Sequence, residues 1–347
     1  MKKSLLALAV LGAFAGAASA QSSVTVYGIV DAGFNSTDDG APAGRTNGIA
    51  SGNQSASRIG FKGTEDLGNG LKANFVLESG FNADEPGAFS FGSRISTIGL
   101  SGGFGAVNLG KQVAPIKDGY DQIDPFGDGG KIAPISAVFF GGAMDNGRIS
   151  NSVKYTSNSY SGFKFGAMYG FGEEAGDTGA NSTYGIGAGY ANGPLNVQFG
   201  YHNADASATD GGLTDPVQIG EFKAMFLGAT YDFGVAKLHA AYGDGKVEDT
   251  IAGTEGKVRN YMLGVSAKVG AAGTIMASYS VNDNRTIDNA DAKRLGIMYA
   301  HDLSKRTNLY AGYSRTSNDD GSRLGLSDFA PVGESASVIA VGIRHKF

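Results

Sequence analysis

A strict two-residue periodicity recurs along almost the whole chain. In the segment 195–202, Leu195, Val197 and Phe199 alternate with polar or very small residues. Alternation over eight or more residues is typical of a β-strand with one apolar face and one polar face. The sequence therefore predicts an all-β fold. The composition of the polar strand faces then distinguishes between the kinds of all-β fold.

The number and spacing of these strands constrain the fold further. Tight turns, such as 66–69 and 270–273, alternate with long polar connections, such as 36–54 and 317–335. Eight long connections and seven tight turns leave the two chain ends side by side, as the closure of an even-stranded ring requires. The sixteen predicted strands are 24–35, 55–65, 70–81, 92–101, 105–113, 149–158, 163–171, 182–191, 195–203, 220–232, 235–245, 257–269, 274–282, 290–301, 307–316 and 336–347.

A soluble β-sandwich or propeller also alternates, but its apolar faces pack on a second layer and its strands have typically about 5–6 residues. Here the strands are long enough to cross a bilayer obliquely, and their second face carries Lys, Arg, Glu, Asn and Gln. Such a face cannot form a second core. We therefore predict a 16-stranded antiparallel transmembrane β-barrel, with an outward apolar band around a polar interior.

Residues 1–20 have the organisation of a cleaved signal peptide. Lys2 and Lys3 precede an apolar stretch, and Ala18-Ser19-Ala20 is a small-residue cleavage site. The mature chain, residues 21–347, is predicted to be one transmembrane β-barrel domain. Loss of Lys2 and Lys3 makes the net charge of −5 two units more negative.

Several function classes are excluded by residue types that are missing or scattered. The chain has no cysteine, which rules out disulfide scaffolds and thiol catalysis. Its histidines, His202, His239, His301 and His345, lie in four different predicted strands, so we predict no metal site and no cofactor. The acidic net charge argues against a nucleic-acid partner. We predict that the protein is not an enzyme.

Several sequence motifs, taken together, point to one family. They are SVTVYGIVD at 23–31, SRIGFKGTEDLG at 57–68, LGKQ at 109–112, RISNSVKY at 148–155, and the terminal Phe347 preceded by apolar residues two apart. These segments resemble the general diffusion porins of Gram-negative bacteria, most closely the neisserial and beta-proteobacterial type. The resemblance spans the whole mature chain.

The resemblance implies a location and partners as well as a fold. It implies a channel in the Gram-negative outer membrane, surrounded by outer-membrane lipid, through which ions and small hydrophilic solutes diffuse passively. It also implies a homotrimer, and recognition of the C-terminal strand ending at Phe347 by the barrel-assembly machinery. The long segment 114–148 would be the third loop, folded into the lumen.

The polar strand faces then supply candidates for the pore constriction. If Ile59 and Phe61 face lipid, Arg58 and Lys62 point inward, and the same parity turns other basic residues toward the third loop. Charged side chains that oppose each other across a narrow pore sort ions. The predicted constriction residues are Arg58, Lys62, Arg94, Lys111, Asp121, Asp124 and Arg148.

For Lys111, the family motif and the alternation of the strand lead to different predictions. It occupies the place of an arginine in the family motif, yet an outer face formed by Leu109 and Val113 would turn it toward lipid. A β-bulge would reconcile the two interpretations. A second departure is the third-loop signature, which is present only as PFGD at 125–128.

Two other functions and the sign of ion selectivity stay open at this point. A substrate-specific channel would show saturable block by its solute, and a barrel that serves as an adhesin would give no steady conductance. The mature chain is acidic overall, whereas the predicted constriction is rich in Arg and Lys. Global charge and local field can differ in sign.

Overall fold

The computed structural model describes residues 23–85, 87, 89–127, 129–142, 147–173, 175–205, 220–249, 254–326 and 330–347. The predicted signal peptide, residues 1–20, lies outside the described residues. Within the described ranges, no helix is both long and apolar enough to cross a bilayer.

Antiparallel strands dominate the fold and form a single sheet. Apart from β2, each strand overlaps one of the sixteen predicted segments. The strands are β1 (Ser23–Asp38), β2 (Thr46–Ser51), β3 (Arg58–Gly68), β4 (Leu71–Gly80), β5 (Ile95–Gly102), β6 (Gly105–Val113), β7 (Arg148–Thr156), β8 (Phe163–Gly170), β9 (Thr183–Asn192), β10 (Leu195–Ala204), β11 (Glu221–Asp232), β12 (Ala236–Asp249), β13 (Thr254–Val269), β14 (Gly273–Asn284), β15 (Ala292–Asp302), β16 (Thr307–Asn318) and β17 (Ala336–Lys346).

The sheet closes on itself around β1. One edge of β1 pairs with β17, and the other pairs with β3 along 23–29 and with β2 along 32–37. Because β2 and β3 follow one another along the same edge, they share one position in a ring of sixteen. The predicted 16-stranded antiparallel barrel is confirmed. The prediction of a loop over 36–54 is wrong in its second half, where residues 46–51 pair with β1.

The outer face of the barrel is apolar and exposed. Leu263 is 71 % exposed, whereas its neighbour Met262 is 2 % exposed and points inward. Ile98 and Leu109, which are opposite one another in β5 and β6, are also exposed. Such a surface is stable when lipid surrounds it, because the strands of a closed barrel satisfy their backbone hydrogen bonds among themselves.

Between β6 and β7, residues 114–142 form what we call the central segment. It begins with helix α1 (Pro115–Ile123), and Pro115 suits the first turn because no intrahelical partner is needed for its missing N–H. Ile116, Tyr120 and Ile123 share one face of this helix and are fully buried against β9, β10 and β11. Two 3-10 turns follow, at Ile135–Ala137 and Phe139–Gly142.

Glycines in the barrel wall let the central segment come very close. A Cβ atom on Gly200 of β10 would lie 2.6 Å from the Cα of Ile116, and one on Gly296 of β15 would lie 2.1 Å from the Cβ of Ala133. A larger side chain would not tolerate such contacts, so glycine at these two positions of the wall lets the central segment come this close. Part of the high glycine content, 56 residues, therefore serves this packing.

The C-terminal residue lies at the seam between the last strand and the first. The N–H of Phe347 donates to the carbonyl of Gly28 at 3.1 Å, and the N–H of Gly28 donates to the carbonyl of Phe347 at 3.2 Å. The phenyl ring covers Gly28, where a Cβ would be 2.4 Å from its Cζ. Phe347 thus extends the closing strand pair, and its role as an assembly signal stays a prediction.

Candidate functional site

On the inner face of the barrel, the carboxylate of Glu78 in β4 interacts with three side chains. Arg94, which precedes β5, donates its Nε–H to Oε1 at 2.7 Å. Tyr27 donates its hydroxyl to Oε2 at 3.1 Å, and the Nε of Arg58 lies 3.8 Å from the same oxygen. Because Glu78 is only 6 % exposed, its main effect is to position the two guanidinium groups.

These arginines border a cavity of about 1000 Å³, which we call the cationic cavity. Arg148, the first residue of β7, lines the same cavity, as do residues of the central segment. In the described part of the chain, its charged lining residues are the cations Arg58, Arg94, Lys117, Lys131 and Arg148 and the carboxylates Glu78 and Asp121. The Nζ of Lys117 lies 3.0 Å from Asp121, so both carboxylates are in ion pairs and positive charge is in surplus.

The structure brings four of the seven predicted constriction residues to this cavity: Arg58, Arg94, Arg148 and Asp121. Lys62 shares the inner face with Arg58, but it lies four residues nearer the tight-turn end of β3. Its Nζ is 5.1 Å from the centre of the Tyr27 ring, within range of a cation–π interaction. Lys62 therefore lies on the inner face of the barrel but does not line the cationic cavity.

Lys111 is not brought into the cluster. The bulge between β6 and β7 is present, but its extra residue lies on β7, where Asn151 has a φ of 48°. The alternation of β6 consequently continues unbroken, and Lys111 shares the outer face with Leu109, which is 53 % exposed. The same bulge puts Ile149, and not Ser150, on the face of Ser152, so simple alternation does not hold across β7.

Asp124 supports the loop and does not line the cavity. It is 6 % exposed, and its carboxylate accepts the backbone N–H of Phe126 at 2.9 Å and that of Ile135 at 2.9 Å. A carboxylate bonded in this way fixes the turn that follows α1. Of the other third-loop acids, Asp118 pairs with Lys154 of β7, and Asp128 lies outside the described residues.

Sequence reasoning did not single out Glu78, Lys117 or Lys131. Glu78 is on the polar face of a strand that the alternation located correctly, so the same parity that selected Arg58 could have found it. Lys117 and Lys131 depend on how the central segment folds, which no periodicity reports. Within the described ranges, no group of three or more potential ligands is placed to hold a metal ion.

A closed barrel with an apolar outer surface and a charged, water-accessible interior defines a transmembrane channel. The sequence model of the Gram-negative porin family matches residues 7–321, and the chain belongs to this family. The predicted family is thereby confirmed. The protein is an outer-membrane porin, a channel for passive diffusion and not an enzyme.

Individual relatives agree with this assignment. The chain is 40 % identical to outer membrane porin protein 32 of Delftia acidovorans over the full length of both. It is similar to an anion-selective porin from Comamonas acidovorans, with 35 % identity and a TM-score of 0.83 over 94 % of this chain and 100 % of that one. The trimer form of OmpT from Vibrio cholerae shares the fold, with 18 % identity and a TM-score of 0.70 over 94 % of this chain and 99 % of that one.

Proposed function

We propose that this porin is anion-selective and that the cationic cavity is the narrowest part of its channel. The observation that carries the proposal is the charge balance of the cavity, where five cations accompany two carboxylates that are themselves in ion pairs. A surplus of fixed positive charge in a narrow aqueous path attracts anions and repels cations. The similar porin from Comamonas acidovorans is described as anion-selective, which supports the same sign here.

The proposal requires the central segment to lie inside the barrel. Gly296, which it approaches, is between Leu295 and Ile297 in β15, and both of these neighbours are about half exposed on the outer face. A residue between two outward ones faces inward in a strand. The burial of Phe139 and Phe140 against β12 and β13 supports the same placement. From there the segment narrows the lumen beside Arg58 and Arg148.

The remaining parts of the proposal concern export and assembly. Residues 1–20 are removed on export, and residues 21–347 form the barrel domain. The mature chain assembles as a homotrimer in outer-membrane lipid, after the barrel-assembly machinery recognises the strand that ends at Phe347. Ions and small hydrophilic solutes pass through each barrel, and no cofactor takes part. The family resemblance of the whole mature chain supports these steps.

Recording from the purified protein in planar bilayers tests the proposed selectivity. In a gradient of potassium chloride, we expect stepwise conductance. The reversal potential should have the sign of the chloride equilibrium potential, because the cavity repels potassium ions. A reversal potential of the opposite sign would overturn anion selectivity. Saturable block by one solute would favour a substrate-specific channel, and a complete lack of steps would favour an adhesin.

A further inference from the structure

A second cavity, of about 390 Å³, lies between α1 and the wall strands β7 to β10. Its position is at the tight-turn end of these strands, because Thr156 is the last residue of β7 and Lys164 is the second residue of β8. A cavity of this size is within the range of small-molecule sites. We call it the mixed-charge cavity, and in the described part of the chain its charged lining residues are Asp118, Asp121, Lys154 and Lys164.

The charge balance of this cavity differs from that of the cationic cavity. Its two carboxylates equal its two ammonium groups in number, so the described lining has no net charge. A simple anion gains little there, because the carboxylates repel it, and a simple cation is repelled by the lysines. A solute that carries one charge of each sign meets an opposite charge at both of its ends.

Lys164 is the cation that is available to such a solute. It alternates with the outward Phe163 and Phe165, so its side chain is on the inner face of β8. Among the described residues, its side chain has neither an ion pair nor a hydrogen bond. Lys154, in contrast, pairs with Asp118 and donates to a backbone carbonyl at 2.8 Å. Lys164 therefore binds a carboxylate without breaking an existing contact.

The two carboxylates of α1 are accessible in spite of their lysine partners. The side chain of Asp118 is 47 % exposed and that of Asp121 is 37 % exposed, although Lys154 and Lys117 pair with them. The two residues are three positions apart, so they lie on the same face of the helix. Because a carboxylate has two oxygens with several acceptor positions, each can accept a further ammonium donor from a solute.

An amide contact keeps these carboxylates in a fixed place relative to Lys164. Gly189 of β9 is directly opposite Lys164 on one side and Gln198 on the other. The amide of Gln198 lies against Gly189, where a Cβ would be 2.5 Å from its Oε1. The Nε2 of Gln198 donates to Oε1 of Gln122 at 3.2 Å, which links α1 to the wall. Groups of both signs are thus held on helix and strands around one space.

We infer that the mixed-charge cavity is a binding site for small zwitterions of the amino-acid type. Lys164 binds the carboxylate of the solute, and Asp118 and Asp121 bind its ammonium group. The site is separate from the cationic cavity and takes a different class of ligand, since it recognises two charges of opposite sign. Binding of a zwitterion and ion selectivity are therefore separable by mutation.

Binding of free β-alanine to the purified porin, followed by NMR of the ligand protons, tests this inference. We expect saturable binding, which Lys164→Gln weakens roughly tenfold because a charge-assisted hydrogen bond is lost. Lys72→Gln is the matched control and should bind as the wild type does. Lys72 is on the inner face of β4, in the alternation of Glu78, and does not line the mixed-charge cavity.

Two further probes each carry half of the ligand. Propionate lacks the ammonium group of β-alanine, and ethylammonium lacks its carboxylate, so both should bind more weakly than β-alanine in the mixed-charge cavity. Propionate should respond to the cationic cavity instead: its binding should weaken in the double variant Arg58→Ser, Arg148→Ser and stay unchanged in Lys164→Gln. The binding of β-alanine should show the reverse dependence.

The inference is overturned if β-alanine does not bind saturably, or if folded Lys164→Gln binds it as tightly as Lys72→Gln does. It is equally overturned if ethylammonium binds as tightly as β-alanine, or if β-alanine follows the arginine double variant. Asp118→Asn, which keeps the shape of the side chain, should weaken the binding of β-alanine but not that of propionate, and it decides alone if Lys164→Gln does not fold. Loss of anion selectivity would overturn the proposed function and leave these β-alanine results as they are.

Discussion

Replacing Arg58 and Arg148 together by serine is expected to abolish the anion preference of the channel. The double substitution removes two of the five cations that line the cationic cavity, while Arg94 and Lys117 stay in ion pairs with the two carboxylates. One unit charge at 4 Å in water contributes about 1 kcal/mol, roughly a fivefold change in local ion concentration. The anion-to-cation permeability ratio should therefore fall by on the order of tenfold. This fall is measured as a shift of the reversal potential toward the equilibrium potential of potassium.

The matched control for this experiment removes equal charge from the outer face. Arg259 and Arg315 share that face with Leu263 and Leu295, and both of these leucines are well exposed. The double substitution Arg259→Ser, Arg315→Ser should leave the reversal potential within error of the wild type. If both double variants shift the potential equally, overall charge governs selectivity and the cationic cavity does not.

A valine at Gly200 of β10 is expected to displace the central segment. Its Cβ alone would lie 2.6 Å from the Cα of Ile116, so the backbone of α1 has to move. Overpacking of this kind costs about 1–3 kcal/mol in the free energy of unfolding. With the central segment inside the barrel, as we propose, the added atoms push α1 away from the wall and into the lumen, so the conductance should also fall.

Urea unfolding and single-channel recording measure the two effects of Gly200→Val separately. Gly256→Val is the control, since a Cβ at Gly256 of β13 would have its nearest neighbour 4.0 Å away. This control should retain the conductance of the wild type. Equal stability and equal conductance of the two variants would show that α1 does not depend on the glycine at 200.

The sequence predicts the barrel well because the information is local. Alternation along a strand reports which side chains share a face, and sixteen such segments with their turns suffice for closure. The same parity correctly places Arg58 on the inner face. The prediction of a loop over 36–54 missed β2. This short strand is stabilised by its pairing with β1 and not by an alternating pattern of its own.

The features that sequence reasoning missed depend on contacts between distant residues. Asp124 is a structural residue because the N–H of Ile135 comes back to it, eleven positions along the chain. Lys111 faces outward because the extra residue of the bulge is on β7 and not on β6. No periodicity encodes such contacts.

Accessibility of a single thiol at position 58 tests whether Arg58 lines the narrowest part of an aqueous channel. The chain has no cysteine, so Arg58→Cys introduces the sole reactive thiol, and Lys305→Cys in an exposed tight turn serves as the control. A negatively charged methanethiosulfonate reagent should reduce the conductance and the anion preference of Arg58→Cys, and leave Lys305→Cys unchanged. Complete labelling of Arg58→Cys, verified by mass spectrometry, with no change in conductance would show that Arg58 does not line the narrowest part of the channel.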